Sequence, residues 1–212
     1  PSAALSDSLP PRLASLQLSG YSEPALPPLP PSLTKLEVSL ASRLSALPVS
    51  TNLRSLTLRA ASPLPDGPAS VSAMLQLTEL RLSRCPLGQL PAVLASLPAL
   101  EVLDLSHTEL TDLAQDLACV ASLRRLRLIC NHLARVPAVL GGGAASRLEH
   151  LDLAWNHVMR VDHAGIAVLS CLAALTYLNL QRSFGGNISN LIGRSTRLRR
   201  AVEAGSRPAQ QP

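Results

Sequence analysis

The sequence predicts an α/β solenoid, in which short parallel strands stack into one curved sheet and short helices or extended segments return behind it. One stretch carries the evidence. Residues 100–110, Leu-Glu-Val-Leu-Asp-Leu-Ser-His-Thr-Glu-Leu, place leucines at Leu100, Leu103, Leu105 and Leu110. Leu103 and Leu105 are two residues apart, so in a strand both point to the same face. A single strand cannot hide these leucines from water and needs neighbours with the same pattern.

The same spacing recurs in eight copies along the 212 residues. The first leucines of the copies are Leu13, Leu33, Leu53, Leu77, Leu100, Leu123, Leu148 and Leu175. They are separated by 20, 20, 24, 23, 23, 25 and 27 residues. A period of about 20 to 29 residues with this internal spacing is typical of leucine-rich repeats. The chain therefore resembles the typical leucine-rich repeat class over residues 13–183. Only 2% of its residues are aromatic, so leucine, valine and alanine must fill the core.

The resemblance implies a horseshoe-shaped solenoid with its parallel sheet on the concave face and short helices or extended returns on the convex face. The family pattern L-x-x-L-x-L-x-x-N-x-L also places asparagine at the ninth position of a repeat, where its amide bonds to the backbone of neighbouring turns. The occupants here are Tyr21, Ala41, Ala61, Cys85, Thr108, Asn131, Asn156 and Ser183. Two asparagines match, Cys85 and Thr108 are tolerated substitutes, and the first three residues cannot supply the bond. We therefore expect the first three repeats to be less regular and less stable.

The repeats divide the chain into four segments. Residues 1–12 are expected to form an N-terminal lead-in or cap, 13–183 the repeats, 184–204 a helical C-terminal cap and 205–212 a tail. Prolines crowd the two 20-residue repeats, which predicts extended convex returns there. These short repeats also resemble those of bacterial effector proteins, although the longer later repeats depart from that family. The sequence of residues 165–173 predicts a helix on the convex side.

No pattern of an active site is present. The sequence lacks G-x-S-x-G, the phosphate-binding G-x-x-x-x-G-K-[ST] and a G-x-G-x-x-G after a strand. His132 and His157 share the tenth position of successive repeats, but no carboxylate or thiolate joins them, so solvent-facing turn histidines are expected. The sequence predicts a chain that is not an enzyme and uses no metal or cofactor.

The cysteines indicate the compartment. Cys85, Cys119, Cys130 and Cys171 form no C-x-x-C pair and no cluster at either end, which favours a reducing, intracellular and cytoplasmic setting. Cys119 and Cys171 are expected in the convex core, and Cys130 as a solvent-reachable thiol. No apolar run long enough to span a membrane is present.

The outward residues of the strands are the candidate binding surface, because residues of successive repeats align in rows. The candidate partner-binding residues are Arg81, Arg84, Val102, Asp104, His107, Arg125, Arg127, Ile129, Asp152, Trp155, Tyr177, Asn179 and Arg182. Arg81, Asp104, Arg127 and Asp152 alternate in sign along one row, which predicts a ladder of ion pairs. Trp155, the only tryptophan, is expected to be an exposed anchor, because tryptophan and arginine are enriched at binding hot spots.

These observations predict a non-enzymatic interaction or scaffold module that binds a protein partner on its concave face. Two alternatives remain open: the substrate-recognition region of a larger enzyme such as a ubiquitin ligase, and a structural subunit of a multiprotein assembly. The net charge of +5 raises the question of nucleic acid. Acidic residues interleave with the arginines on the outward rows, and few aromatic residues could stack on bases, so nucleic-acid binding is not expected.

Overall fold

Eight parallel strands form one sheet in strict chain order. The computed structural model of the chain describes residues 9–41, 44, 47–48, 50–60, 73–87, 97–113, 121–141, 143, 145–183 and 196–206. The strands are β1 Ser15–Ser19, β2 Lys35–Ser39, β3 Ser55–Arg59, β4 Glu79–Ser83, β5 Val102–Asp104, β6 Arg125–Arg127, β7 His150–Asp152 and β8 Tyr177–Asn179. One strand per repeat confirms the predicted solenoid.

The repeats pair in the register that brings equivalent leucines side by side. The row formed by the second residue of each strand is Leu16, Leu36, Leu56, Leu80, Leu103, Leu126, Leu151 and Leu178. From Leu36 onward every member is buried, and Leu103 and Leu126 are fully inaccessible to solvent. Leu16 is only half-buried, because among the described strands β1 pairs with β2 alone. Burying one leucine side chain contributes about 1.5–3 kcal/mol, so this row is a major source of stability.

The strands shorten from five residues in β1–β4 to three in β5–β8. In the later repeats the last strand residue is often an Asp or Asn whose side chain accepts a hydrogen bond from the N–H two residues on. Asp104 accepts from Ser106 at 3.1 Å, Asp152 from Ala154 at 3.1 Å and Asn179 from Gln181 at 3.1 Å. Such local bonds turn the backbone away from the strand conformation. The Asp or Asn stands at the same repeat position in each of these copies, and its side-chain hydrogen bond accounts for the early end of the strand.

Each strand is followed by a residue in the left-handed backbone region at the eighth position of the repeat. Seven of the eight have a side chain: Leu40, Ala60, Arg84, His107, Cys130, Trp155 and Arg182, with φ between 48° and 61°. Gly20 occupies the equivalent place with φ 68°. The N–H of Leu40 bonds to Arg59 O at 2.9 Å, and that of Trp155 bonds to Gln181 O at 2.8 Å. This conformation costs an L-residue roughly 1–2 kcal/mol. Hydrogen bonds between adjacent repeats therefore hold the backbone there.

The ninth-position residues bind the backbone beneath these turns, as the family pattern implies. The Asn131 amide donates to Leu105 O at 2.8 Å and accepts from the N–H groups of Thr108 at 3.1 Å and Leu110 at 3.0 Å. Asn156 donates to Leu128 O at 2.9 Å. These side chains satisfy polar groups that the leucine rows would otherwise leave buried and unpaired.

Serine also serves in this ladder, which the sequence reasoning missed. Ser183 Oγ accepts from Asn156 N–H at 3.0 Å and donates to Leu153 O. Thr108 Oγ1 lies 2.7 Å from Leu105 O and Cys85 Sγ lies 3.7 Å from Leu58 O, in line with their expected role. Ala41 is buried and supplies no such side-chain bond, and Ala61 lies outside the described residues. Strands β1–β3 nonetheless pair over five residues each, so the expected loss of regularity is absent from the sheet there.

Two short helices lie among the described residues of the convex side. Residues 138–140 form a 3-10 helix, Ala138–Leu140, and α1 spans His163–Cys171, close to the predicted 165–173. The Asp162 side chain caps α1 by accepting from Gly165 N–H at 2.9 Å. The first repeats return without helix over residues 20–34. Cys171 is exposed, contrary to expectation, because α1 turns it away from the core; Cys119 lies outside the described residues.

The C-terminal helix α2, Thr196–Ser206, packs against the end of the sheet beside β8. Leu198 and Ala201 are buried and Val202 is half-buried. α2 extends two residues past the predicted end of the cap, and the predicted inward residues Leu191 and Ile192 lie outside the described residues. At 9 and 11 residues, the α-helices among the described residues are too short to cross a bilayer.

Replacing Asn131 with alanine should lower the free energy of unfolding by at least about 2 kcal/mol, because it leaves buried N–H and carbonyl groups unpaired at about 1–3 kcal/mol each. Urea denaturation followed by circular dichroism measures the change. Asn52→Ala is the matched control: Asn52 also donates to a carbonyl of the preceding repeat, Pro31 O at 2.8 Å, but at an exposed site. Equal losses in the two variants would contradict the buried ladder.

Exchanging glycine and alanine at the eighth position should change stability differently in the two directions. Gly20→Ala should destabilise the protein by about 1 kcal/mol, because φ is 68° although no atom lies within 4 Å of the added Cβ. Ala60→Gly, at φ 48°, should leave stability unchanged or raise it. The measurement is the urea midpoint of each variant. A more stable Gly20→Ala protein would contradict backbone strain as the governing effect.

Candidate functional site

The predicted binding residues lie on the sheet face and on the ridge of eighth-position residues at its edge. Arg84, His107, Arg125, Arg127, Trp155 and Arg182 are exposed, and Arg81, Val102, Asp104, Ile129, Tyr177 and Asn179 are partly exposed. Asp152 is 7% exposed. The register places the equivalent residues of successive strands side by side, so these residues share one continuous surface.

The predicted ladder of alternating charges is only partly formed. The register makes Arg81, Asp104, Arg127 and Asp152 neighbours, as expected. Of these contacts, only Arg127 Nη1 to Asp104 Oδ2 is an ion pair, at 3.8 Å. Arg81 instead pairs with Glu79 on its own strand. The ladder is wrong at both ends, because Arg81 pairs with Glu79 and the Asp152 carboxylate is held by Ala154 N–H and Asn179.

Asp152 therefore presents almost no area for direct contact with a partner. Its carboxylate accepts from Ala154 N–H at 3.1 Å and from Asn179 Nδ2 at 3.3 Å. Burial raises the pKa of the Asp152 carboxyl, and these two hydrogen bonds and the charge of Arg127 lower it by less. A partly desolvated carboxylate in this place fixes the positions of Asn179 and the turn after β7.

Trp155 is exposed at the edge of the sheet face, as predicted. Its side chain is 40% exposed, and the Arg182 guanidinium carbon lies 4.5 Å from its ring centroid. The His157 ring meets it edge-on at 5.7 Å. Stacking on arginine and histidine holds an indole in a defined orientation in solvent. Trp155, Cys130, His157 and Val158 border a shallow depression of about 190 Å³.

A larger groove crosses strands β2 to β5. Its volume is about 480 Å³. The groove is lined by Ser39, Leu40, Arg59, Ala60, Arg81, Ser83, Arg84, Asp104, Ser106, His107 and Ile129. Arg59 and Leu40 were not among the predicted site residues. Their places in the outward and eighth-position rows were the available signal, and the pairing of β2 with β3 brings them to the groove.

His150 and Tyr177 form a stacked pair that the sequence reasoning did not single out. Their ring centroids are 5.0 Å apart with the planes inclined by 22°. They are register partners on β7 and β8, which is the available sequence signal. Burial lowers the pKa of the His150 imidazole, and the positive charge of Arg125 lowers it further. The pair forms a flat, uncharged segment of the face beside two arginines.

The described residues do not assemble a reactive site. Burial and the carboxylate of Asp152 raise the pKa of the Cys130 thiol, which disfavours a thiolate nucleophile. His132 and His157 are both exposed, and no group of three potential metal ligands occurs among the described residues.

The repeat geometry agrees with the comparisons to known proteins. The family model of the leucine rich repeat matches residues 75–133. Solved structures that match this chain include a leucine-rich repeat protein of Leptospira interrogans, with a TM-score of 0.56 and 24% identity over 71% of this chain. The chain has the leucine-rich repeat fold, and residues 75–133 match the family model.

Two further solved structures share the leucine-rich repeat fold. The leucine-rich repeat domain of the type III effector XopL has a TM-score of 0.57 and 22% identity over 79% of this chain. The ectodomain of the plant receptor kinase GASSHO1/SCHENGEN3 from Arabidopsis thaliana, solved in complex with CASPARIAN STRIP INTEGRITY FACTOR 2, has a TM-score of 0.55 and 20% identity over 88% of this chain. No curated protein sequence matches the chain.

This leucine-rich repeat chain is shorter than the proteins it resembles. It spans 38% of the Leptospira chain, 63% of the XopL domain and 23% of the receptor ectodomain. Leucine-rich repeat proteins are typically protein-interaction modules and generally not enzymes. At these identities the likenesses establish the fold.

The pKa of His150 should rise when Arg125 is replaced by glutamine, because a positive charge that opposes protonation is removed. The folded-state pKa lies below 6.5, so His150 favours folding above pH 6.5, and this contribution is lost as pH falls through the folded-state value. Titration of the imidazole carbon-bound protons by NMR measures the shift. Arg84→Gln is the control, since Arg84 does not affect His150; equal shifts in both variants would disprove the local effect.

Proposed function

We propose that this leucine-rich repeat chain is a non-enzymatic module that binds a protein partner on the concave face of strands β4 to β8. The observation that carries the proposal is the exposed indole of Trp155, held against Arg182 at 4.5 Å beside the sheet face. An ordered aromatic side chain in solvent offers a large contact area at little cost in conformational entropy.

The face next to Trp155 supports protein binding over nucleic-acid binding. Arginines Arg125 and Arg127 are exposed, but the flat pair of His150 and Tyr177 is uncharged and Asp104 is bound to Arg127. This mixture of apolar, aromatic and charged surface is typical of protein interfaces. A nucleic-acid site would need a continuous basic surface with several stacking rings.

The wider context stays a prediction. The chain could act as the substrate-recognition region of a larger enzyme, as a scaffold, or as a subunit of a multiprotein assembly. A cytoplasmic, reducing compartment is likewise predicted from the spacing of the cysteines alone.

Trp155→Ala should reduce capture of the partner from native extract by at least about tenfold, because a central aromatic anchor contributes about 2 kcal/mol or more. Quantitative mass spectrometry of proteins retained on the immobilised chain measures the loss. Leu75→Ala is the matched control, since Leu75 is a large apolar residue, 53% exposed and outside the outward rows of the strands. The same retained proteins at equal amounts in both variants would refute the proposal.

A further inference from the structure

The groove over strands β2 to β5 is electropositive. Three arginines line it, Arg59, Arg81 and Arg84, together with hydroxyl groups of Ser39 and Ser83. Asp104 is the one carboxylate among its lining residues. It is already engaged by Ser106 Oγ at 2.6 Å, by Ser106 N–H at 3.1 Å and by Arg127 at 3.8 Å. The described lining residues therefore carry more positive than negative charge, and of the three arginines Arg81 is also paired with Glu79 beside the groove.

The arginines keep unused hydrogen-bonding capacity. Arg84 is exposed and forms no ion pair with the described residues. Arg59 lies 4.0 Å from Glu37, at the outer limit of an ion pair. The Nε atom of Arg81 is buried and has no hydrogen-bond partner among the described residues. Arg81 is also paired with Glu79, and its buried Nε atom is out of reach of a ligand, so Arg84 is the arginine best placed to form a charge-assisted hydrogen bond to an anion in the groove.

The depression beside Trp155 has the opposite character. Its lining residues carry no carboxylate, lysine or arginine. Trp155 and Val158, which are 40% and 58% exposed, form its apolar walls. Its volume of about 190 Å³ matches one aliphatic or aromatic side chain.

The two sites are a fixed distance apart. Arg84 and Trp155 occupy the eighth position of the fourth and seventh repeats, so three strand spacings separate them. At about 4.8 Å per spacing this is about 14 Å, which an extended chain covers in about four residues. A peptide crossing the strands would thus reach both sites with side chains four positions apart.

We infer that the concave face binds an extended acidic segment of the partner, with an Asp or Glu in the arginine groove and a large apolar residue four positions away against Trp155. This inference rests on the proposed function and adds the chemistry and spacing of the ligand. Carboxylates fit the groove because arginine forks bind them in bidentate fashion, and the arginines are spread over β3, β4 and the turn after β4 instead of converging on one point.

The test is selection of a displayed library of random ten-residue peptides on the immobilised full chain. The expected consensus has an acidic residue and a large apolar residue four positions apart. Enrichment without an acidic residue, a different fixed spacing, or no enrichment would overturn the inference. A selected peptide is then synthesised, and its binding is followed through the emission of Trp155, the only tryptophan in the chain.

Two matched variants separate charge from backbone effects. Arg84→Gly removes the cation and relieves a φ of 58°, so the protein should stay folded while affinity for the selected peptide falls at least about tenfold. Glu109→Gly relieves a similar φ of 61° at a residue that lines neither the groove nor the depression, and it should not lower affinity. Equal affinities of Arg84→Gly and the wild type would overturn the arginine groove as the anion site.

Two further ligands test the chemistry. A peptide with phosphoserine in place of the acidic residue should not bind more than about tenfold tighter, and single-stranded RNA should not compete at physiological salt. Either result to the contrary would overturn the commitment to carboxylates. Loss of partner capture by Trp155→Ala together with unchanged binding by Arg84→Gly would leave the proposed function standing while refuting this inference.

Discussion

The structure depends on the parallel, in-register pairing of strands that cannot be stable alone. Each strand has the leucine at its second position on one face, and this leucine is buried because equivalent leucines flank it in the neighbouring repeats. The stability of each repeat is therefore mostly an interaction with its two neighbours. Every other feature follows from keeping eight copies of one strand at the same register.

The turn after each strand is the second consequence of that register. The backbone must leave the sheet at the same place in every repeat, and the eighth residue adopts positive φ whether it is glycine, alanine, arginine or tryptophan. Hydrogen bonds to the next repeat and the ninth-position ladder of Asn131, Asn156 and Ser183 hold this conformation in the later repeats. The turn is imposed by neighbours, and the same ridge displays the side chains of Arg84, Trp155 and Arg182.

The surface shows how strand pairing converts a sequence pattern into an uneven charge distribution. Strict alternation of Arg81, Asp104, Arg127 and Asp152 would have cancelled along the row. Instead Glu79 binds Arg81, Asp104 binds Ser106 and Arg127, and Asp152 is buried. The acidic side chains are bound by nearby residues, while Arg84 and Arg125 remain in solvent without ion pairs to the described residues. The groove is therefore basic although this row has as many acidic as basic residues, and the aromatic edge lies beside it.

The repeat period and spacing were enough to predict the solenoid, its eight strands, their register and the exposure of Trp155. These features are set by the position of a residue within its own repeat, which the sequence displays directly. The side-chain partners of Arg81 and Asp152, the stacking of Tyr177 on His150 and the groove around Arg59 and Leu40 were decided by tertiary structure. They depend on which of several side chains within reach, on the same strand or the next, forms the shorter contact, and this competition leaves no trace in the repeat pattern.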